Sequence, residues 1–299
     1  MKKEERQYLR IITINLCDEY PKNKITILSE WIRILSNIKA DILFFQEIKY
    51  YDIKKLVNVL DLKILNINNF EETCVLINPR KLVILDNNLV TLKSNTEPIY
   101  VSCLHLDDIP SLPEYMNNLN NMMYKYSSKI LPLNVKQDNI MKLSSDIRLT
   151  ILKKELKKAQ KFHKNIITGL DNILKLCAKH RLPKLKKDLN KAKKFNRAII
   201  AGDFNEPSHL NLDKINTPVS LEFEKNGFID SYRSVNKIKN ITNFGYTWPA
   251  GVLYAEEPQQ RIDMIYTKNF KVLNSVIYGG ENNSKWISDH KMVITDIQV

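Results

Sequence analysis

Residues 198–201, Ala-Ile-Ile-Ala, form an apolar run the length of a buried strand, and Gly202-Asp203-Phe204-Asn205 follows it directly. Gly202 is expected to let the backbone turn there, and Pro207 to end any further pairing. Asp203 and Asn205 are two residues apart, so on an extended backbone they point the same way. Asp203 can accept a proton or hold a water. Asn205 can donate to an oxyanion or orient a ligand without adding negative charge. The same residues also suit an Asp/Asn turn between two elements.

Other short apolar runs end the same way. Residues 8–16 alternate as a strand and bring Asn15 to its end, as a turn residue or as an amide that orients a neighbouring carboxylate. Residues 41–48 form a buried strand that ends in Gln46-Glu47. A carboxylate after a fully apolar run is costly unless it is paired or bound to a cation, so Glu47 is a candidate ligand for a hard metal or else an exposed residue past the strand. Residues 99–106 bring His105 to a strand end before Asp107-Asp108. Near the C-terminus, Asp263 lies in the strand 261–266, and Asp289-His290 precedes a terminal strand.

Helices are expected over 24–39, where Ile27, Trp31, Ile34, Leu35 and Ile38 keep helical spacing, and after residue 50. Gly227 is the expected cap of a helix that starts near Leu221. Residues 109–145 read as a loop or irregular helical stretch, followed by three helices over 146–166, 170–181 and 184–196 with Pro183 at the third start. Residues 111–196 are thus a helical, Lys-rich insertion within a single 1–299 domain.

The net charge of +13 is local. Residues 148–197 hold 17 Lys/Arg against 3 Asp/Glu, which leaves 29 against 30 elsewhere. Such a segment fits either a polyanionic partner or a solvated helical face. Cys17, Cys74, Cys103 and Cys177 are widely spaced with no C-x-x-C, which points to free thiols, a reducing compartment and no structural zinc. No run of 18 apolar residues exists and the N-terminus lacks a signal-peptide pattern, so an intracellular chain without a membrane span is expected.

In an open layered sheet, strand ends on one edge converge on one crevice. Carboxylates, amides and histidines gathered there suit phosphoester hydrolysis: a hard cation on carboxylates, a carboxylate that activates water, and a His paired with an Asp. Thr13-Ile14-Asn15, Phe45-Gln46-Glu47, Leu104-His105-Leu106, Gly202-Asp203-Phe204-Asn205, Arg261-Ile262-Asp263 and Ser288-Asp289-His290 occur in the order seen in the endonuclease/exonuclease/phosphatase superfamily, the DNase I-like group of divalent-metal phosphohydrolases. The chain resembles that superfamily from both ends and departs from it over about 111–196.

The resemblance implies an α/β fold, a four-layer α/β/β/α sandwich of two mixed sheets. It implies Glu47 as the main Mg²⁺ (or Mn²⁺) ligand with Asn15 beside it and Asp289 as a second carboxylate. Asp203 would orient or deprotonate the attacking water, and Asn205 would contact the scissile phosphate. His290 would sit on the phosphate, oriented by Asp263, and His105 would be a phosphate contact or proton donor. Glu72 fits a carboxylate that pairs with that His. His209 would line the pocket or be structural. Thr247 and Trp248 fall where relatives place a substrate-side loop, with Trp248 stacking on substrate or simply packing.

The expected function is phosphodiester hydrolysis of nucleic acid, with the basic 148–197 segment tracking the backbone. The alternatives are a phosphatase or a phospholipid or inositol-phosphate phosphodiesterase that meets an anionic membrane surface, and a non-catalytic binding module. No obligate protein partner is indicated. The Gln46-Glu47-Ile48-Lys49 block is close to abasic-site endonucleases, but the tyrosine-bearing block expected after His105 is missing. Pro258-Gln-Gln-Arg-Ile is a partial match to inositol phosphatases.

Overall fold

In the computed structural model the residues described are 8–17, 24–111, 115, 145–211, 215–237, 244–250, 259–280 and 286–299. Two six-stranded sheets carry the fold. The first has the order β11-β12-β1-β2-β4-β3, with β1 Tyr8–Asn15, β2 Ile42–Gln46, β3 Lys63–Asn68, β4 Thr73–Ile77, β11 Lys271–Tyr278 and β12 Met292–Gln298. The second has the order β5-β6-β7-β8-β10-β9, with β5 Leu82–Asp86, β6 Leu89–Leu92, β7 Asn95–His105, β8 Arg197–Asp203, β9 Ile229–Asp230 and β10 Asp263–Lys268. Each sheet holds one parallel pair, β1 with β2 and β7 with β8, among antiparallel neighbours. Both sheets are therefore mixed.

The period of two in each strand assigns its residues to layers. Ile11, Ile42, Phe44, Val101, Ile199, Ala201 and Ile265 fill the core between the sheets. Their neighbours Ile12, Ile14, Leu43 and Phe45 face outward and meet Trp31, Ile34 and Leu35 of α1 (Lys24–Ile38) and Ile53 and Leu56 of α2 (Tyr50–Leu60). On the other sheet Ala198, Ile200, Met264 and Tyr266 face outward onto Leu185, Leu189 and Ala192 of α3 (Ser145–Ala192) and Val219 and Phe223 of α4 (Pro218–Lys225). A last short helix, α5, spans Ser231–Val235. The expected four layers are present.

Three details differ from the sequence reading. Gly202 does not turn the chain but lies inside β8, opposite Leu104 of β7. Its φ is +152°, and a Cβ there would sit 1.8 Å from the Leu104 carbonyl oxygen, so the glycine permits a close backbone approach. Second, the segments read as three helices are one 48-residue helix, with Pro183 inside it. Cys177, Arg181, Leu185 and Leu189 recur every four residues across the proline and are all buried. Packing on both sides of the proline outweighs its roughly 3 kcal/mol helix penalty. Third, residues 271–278, to which the sequence reading assigned no element, form the edge strand β11 and pair with β12 although their mixed polar sequence carries little alternation. The stretch 109–145 falls largely outside the described residues, as does Pro258 of the Pro258-Gln-Gln-Arg-Ile match.

Candidate active site

Asn15, Gln46, His105 and Asp203 terminate the four strands of the two parallel pairs. Each continues the inward-facing set of its strand, so each side chain enters the gap between the sheets where the apolar core ends. Asp263 opens β10 directly opposite Asp203. Glu47 and Asn205, just past β2 and β8, adopt left-handed φ values of 54° and 49°. Backbone strain in non-glycine residues is concentrated at functional sites, and here it aims two polar side chains into one cleft. The cleft has a volume of ≈ 870 Å³.

The contacts centre on Asp203, which is almost fully buried. Its Oδ2 accepts from Asn15 Nδ2 at 3.1 Å and lies 3.7 Å from His290 Nε2 and 3.9 Å from His105 Nε2. Its Oδ1 accepts the Asn205 N–H at 2.9 Å. The same Asn15 amide donates to Glu47 Oε1 at 2.8 Å, while its Oδ1 accepts the Cys17 N–H at 2.9 Å. In this arrangement Asn15 orients two carboxylates and does not turn its oxygen to them. That is the alternative role read for it from the sequence.

His290 Nδ1 is 2.9 Å from Asp263 Oδ2. Burial alone would lower the imidazole pKa, but the charges of Asp263 and Asp203, the Asp263 hydrogen bond and Asp289 reverse this and raise it to about 10. The shift favours the protonated ring, whose Nε2 faces Asp203. The Asp203 carboxyl is raised by burial and by Asp263, against the opposing pull of His290, His105 and the Asn205 N–H.

One ligand-capable atom from each of Asp203, Asp263 and His290 lies within 4.8 Å of the others. These three side chains could hold a metal ion; without one, His290 is hydrogen-bonded to Asp263 and stands 3.7 Å from Asp203. Glu47 and Asp289, which line the same cleft, could also hold a cation. Asp289 is buried, its Oδ2 accepts from Trp248 Nε1 at 3.2 Å, and its Oδ1 accepts no hydrogen bond among the described residues. His290 Nε2 lies 4.0 Å from that oxygen, beyond hydrogen-bond reach; a buried carboxylate oxygen that accepts no hydrogen bond costs on the order of 1–3 kcal/mol, and a cation would reduce that cost. The donors are hard oxygens, which fit Mg²⁺ or Mn²⁺ and not a thiophilic metal. Cys17 stands beside both carboxylates, but burial and the charges of Asp289 and Glu47 push its thiol up to about 12 and keep it protonated.

Four expectations need correction or refinement. Among the described residues the carboxylates within 4 Å of His105 are Glu47 and Asp203; Glu72 lines the cleft but does not pair with it. His209 lies away from the cleft, with Nδ1 at 2.8 Å from Ser220 Oγ and Nε2 at 3.0 Å from Glu224, so its own hydrogen bonds hold it on α4. Thr247 is fully buried, and its Oγ1 accepts the N–H groups of Ile262 and Asp263, each at 3.1 Å. It fixes the start of β10 and makes no part of the cleft surface. Trp248 does line the cleft, tied to Asp289.

Sequence reasoning overlooked three residues. The Gln46 amide bridges the sheets below the site, 3.2 Å from Thr13 Oγ1 and 2.9 Å from Cys103 Sγ. Arg181 is fully buried and donates to the carbonyls of Asp107, Asp108 and Pro110, which holds the loop after His105. Lys184 reaches the cleft, where Nζ donates to the His105 carbonyl and pairs with Glu71 at 3.0 Å. The signal for Gln46 was its inward position one residue before Glu47. Arg181 and Lys184 were hidden in a run of similar cations.

No family model matches the chain, and no curated protein matches it in sequence. Solved structures do. TDP2 of D. rerio complexed with single strand DNA product is 14% identical with a TM-score of 0.58, covering 98% of this chain and 100% of that one. Truncated TDP2 of Caenorhabditis elegans is 13% identical with a TM-score of 0.54, covering 98% of both chains. An endonuclease/exonuclease/phosphatase family protein from Leptotrichia buccalis is 13% identical with a TM-score of 0.50, covering 97% of this chain and 100% of that one. The chain has the endonuclease/exonuclease/phosphatase fold. In this fold the cleft lies at the shared edge of the two sheets, where the six sequence blocks meet. No described helix is long and apolar enough to cross a membrane.

Proposed function

We propose that the chain is a divalent-metal-dependent phosphodiesterase that cleaves nucleic acid by in-line attack of water. The strongest support is the position of Asp203, within 4 Å of Asn15, His105 and His290 at the floor of one cleft that also holds Glu47 and Asp289. A hard cation held by Glu47 and Asp289 would screen the phosphate charge and polarise the phosphoryl group.

Asp203 orients the attacking water and accepts its proton; the raised carboxyl pKa makes it a stronger base than a solvated aspartate. The His290 imidazolium donates through Nε2 to a phosphoryl oxygen as negative charge builds there, and Asp263 holds the ring at Nδ1. Asn205 is held by its donation to the Leu106 carbonyl at 2.9 Å, which leaves its second amide hydrogen for the phosphate. His105 supplies a second imidazole for the leaving oxygen. Lys184, on the cleft wall, adds a positive charge from the basic 148–197 segment. The single strand DNA product in D. rerio TDP2 supports a nucleic-acid substrate.

The test is turnover of bis(p-nitrophenyl) phosphate against p-nitrophenyl phosphate, with Mg²⁺ and with EDTA. Diester turnover abolished by EDTA is the expected result. Turnover of the monoester alone would make the enzyme a phosphatase and overturn the reading.

A further inference from the structure

The cleft chemistry leaves most of α3 unused. Lys157, Lys161, Lys164, Lys175 and Lys179 are all exposed. Their successive spacings of 4, 3, 11 and 4 are near-multiples of the helical repeat, so the five ammonium groups form one stripe. At about 1.5 Å per residue the stripe runs for roughly 33 Å. It ends before Pro183, and the buried Cys177 and Arg181 lie on the other side of the helix.

Among the described residues the row is largely uncompensated, although Asp171 lies on the same face four residues before Lys175. Asp171 is the one acidic residue between 157 and 179, and none of the five lysines makes an ion pair with a described residue. Like charges three and four residues apart destabilise a helix, and a bound polyanion would relieve that. The cleft rim has the opposite sign, with Glu71, Glu72, Asp107 and Asp108, so it offers a long phosphate backbone little attraction. A lipid surface fits less well. On the same stretch Phe162, Ile166, Leu170 and Ile173 are half-buried, and the exposed Ile167 and Leu176 lie on opposite flanks of the helix, so they make no continuous apolar face for insertion.

We propose that the Lys157–Lys179 face of α3 is an exosite for polynucleotide backbone, which holds the substrate strand by its phosphates without reading its sequence. The proposal rests on the reading of nucleic acid as substrate and adds a second binding surface outside the cleft. Charge alone governs it, so neutralising five phosphates on a single strand gives a salt dependence of log Kd against log[salt] that is steeper by about 3.5.

The experiment is fluorescence anisotropy of a labelled single-stranded 30-mer with the full chain in EDTA, across NaCl concentrations. It compares wild type, K157Q/K161Q/K164Q/K175Q/K179Q and the corresponding five-Arg variant. The Gln variant is expected to lose about 3.5 units of slope, and the Arg variant to keep the wild-type slope. Turnover of bis(p-nitrophenyl) phosphate should be equal in all three. Equal slopes for wild type and the Gln variant would overturn the exosite, as would wild type that ignores the 30-mer but sediments with phosphatidylserine vesicles. A charge-dependent slope in protein with no diester turnover would sustain the exosite and sink the catalytic reading, so the two failures are distinct.

Discussion

His290 Nδ1 and Asp263 Oδ2 are 2.9 Å apart, although one residue precedes β12 in the first sheet and the other opens β10 in the second. The pair therefore ties the two sheets together at the base of the cleft. It also sets the charge of the ring. Asp263→Asn keeps the shape and removes the charge. We expect it to lower turnover by ~10²–10⁴, the usual contribution of a positioned proton donor. In metal-free wild type the His290 ring should stay protonated well above neutral pH, with a pKa of about 10, and in the variant it should titrate lower, as read by NMR. The raised pKa has a matching effect on stability. The contribution is full below the ordinary histidine value of 6.5 and is lost as pH rises through about 10, so the wild type should lose more unfolding free energy over that range than His290→Gln.

Gly202 supports the site from behind. Gly202→Ala places a Cβ against the Leu104 carbonyl and must push β7 from β8. We expect a loss of about 1–3 kcal/mol by urea unfolding, typical of overpacking. Activity should fall further than stability, because His105 pairs in register with Asp203 one residue on.

Much of this was legible because the chemistry-bearing residues end apolar runs. Asn15, His105 and Asp203 close strand-like runs and Glu47 follows one; the period of two then assigns the first three to the inner face, whereas Glu47 is turned into the cleft by its left-handed φ of 54°. Contacts between distant segments carry no such local signal. The role of Thr247 depends on where residues 262 and 263 pass, and that of Arg181 on three carbonyls more than 70 residues away in the chain. The continuity of α3 was obscured because Pro183 is a strong local stop signal, whereas the buried stripe that overrides it becomes visible only once the sheet it packs on is in place.

These corrections are testable. Thr247→Val is close to isosteric but leaves two buried N–H groups without an acceptor, and should cost about 1–3 kcal/mol per unsatisfied group, with reduced turnover. His209→Ala should leave turnover within about twofold, since the ring contacts Ser220 and Glu224 and not the cleft. A large loss of kcat at unchanged stability would return His209 to the site.

Asp230 is the buried partner of Arg261, with contacts of 3.0 and 2.6 Å. Burial alone would raise its pKa, but the Arg261 charge and hydrogen bonds, with the Arg233 N–H and Ser208, hold it below 3.8. Its contribution is therefore present above pH 3.8 and lost as pH falls through the depressed value. Asp230→Asn leaves Arg261 buried without its counter-charge and should cost about 3–5 kcal/mol at pH 7. The gap between variant and wild type should narrow in strong acid, as followed by urea unfolding.

The most direct test of the central claim is nicking of supercoiled plasmid by wild type and Asp203→Asn, with Mg²⁺ and with EDTA. The account predicts nicking by wild type with Mg²⁺, none with EDTA, and a loss of at least ~10² in the variant at unchanged folding. Wild-type rates retained by Asp203→Asn would place the chemistry elsewhere and contradict it.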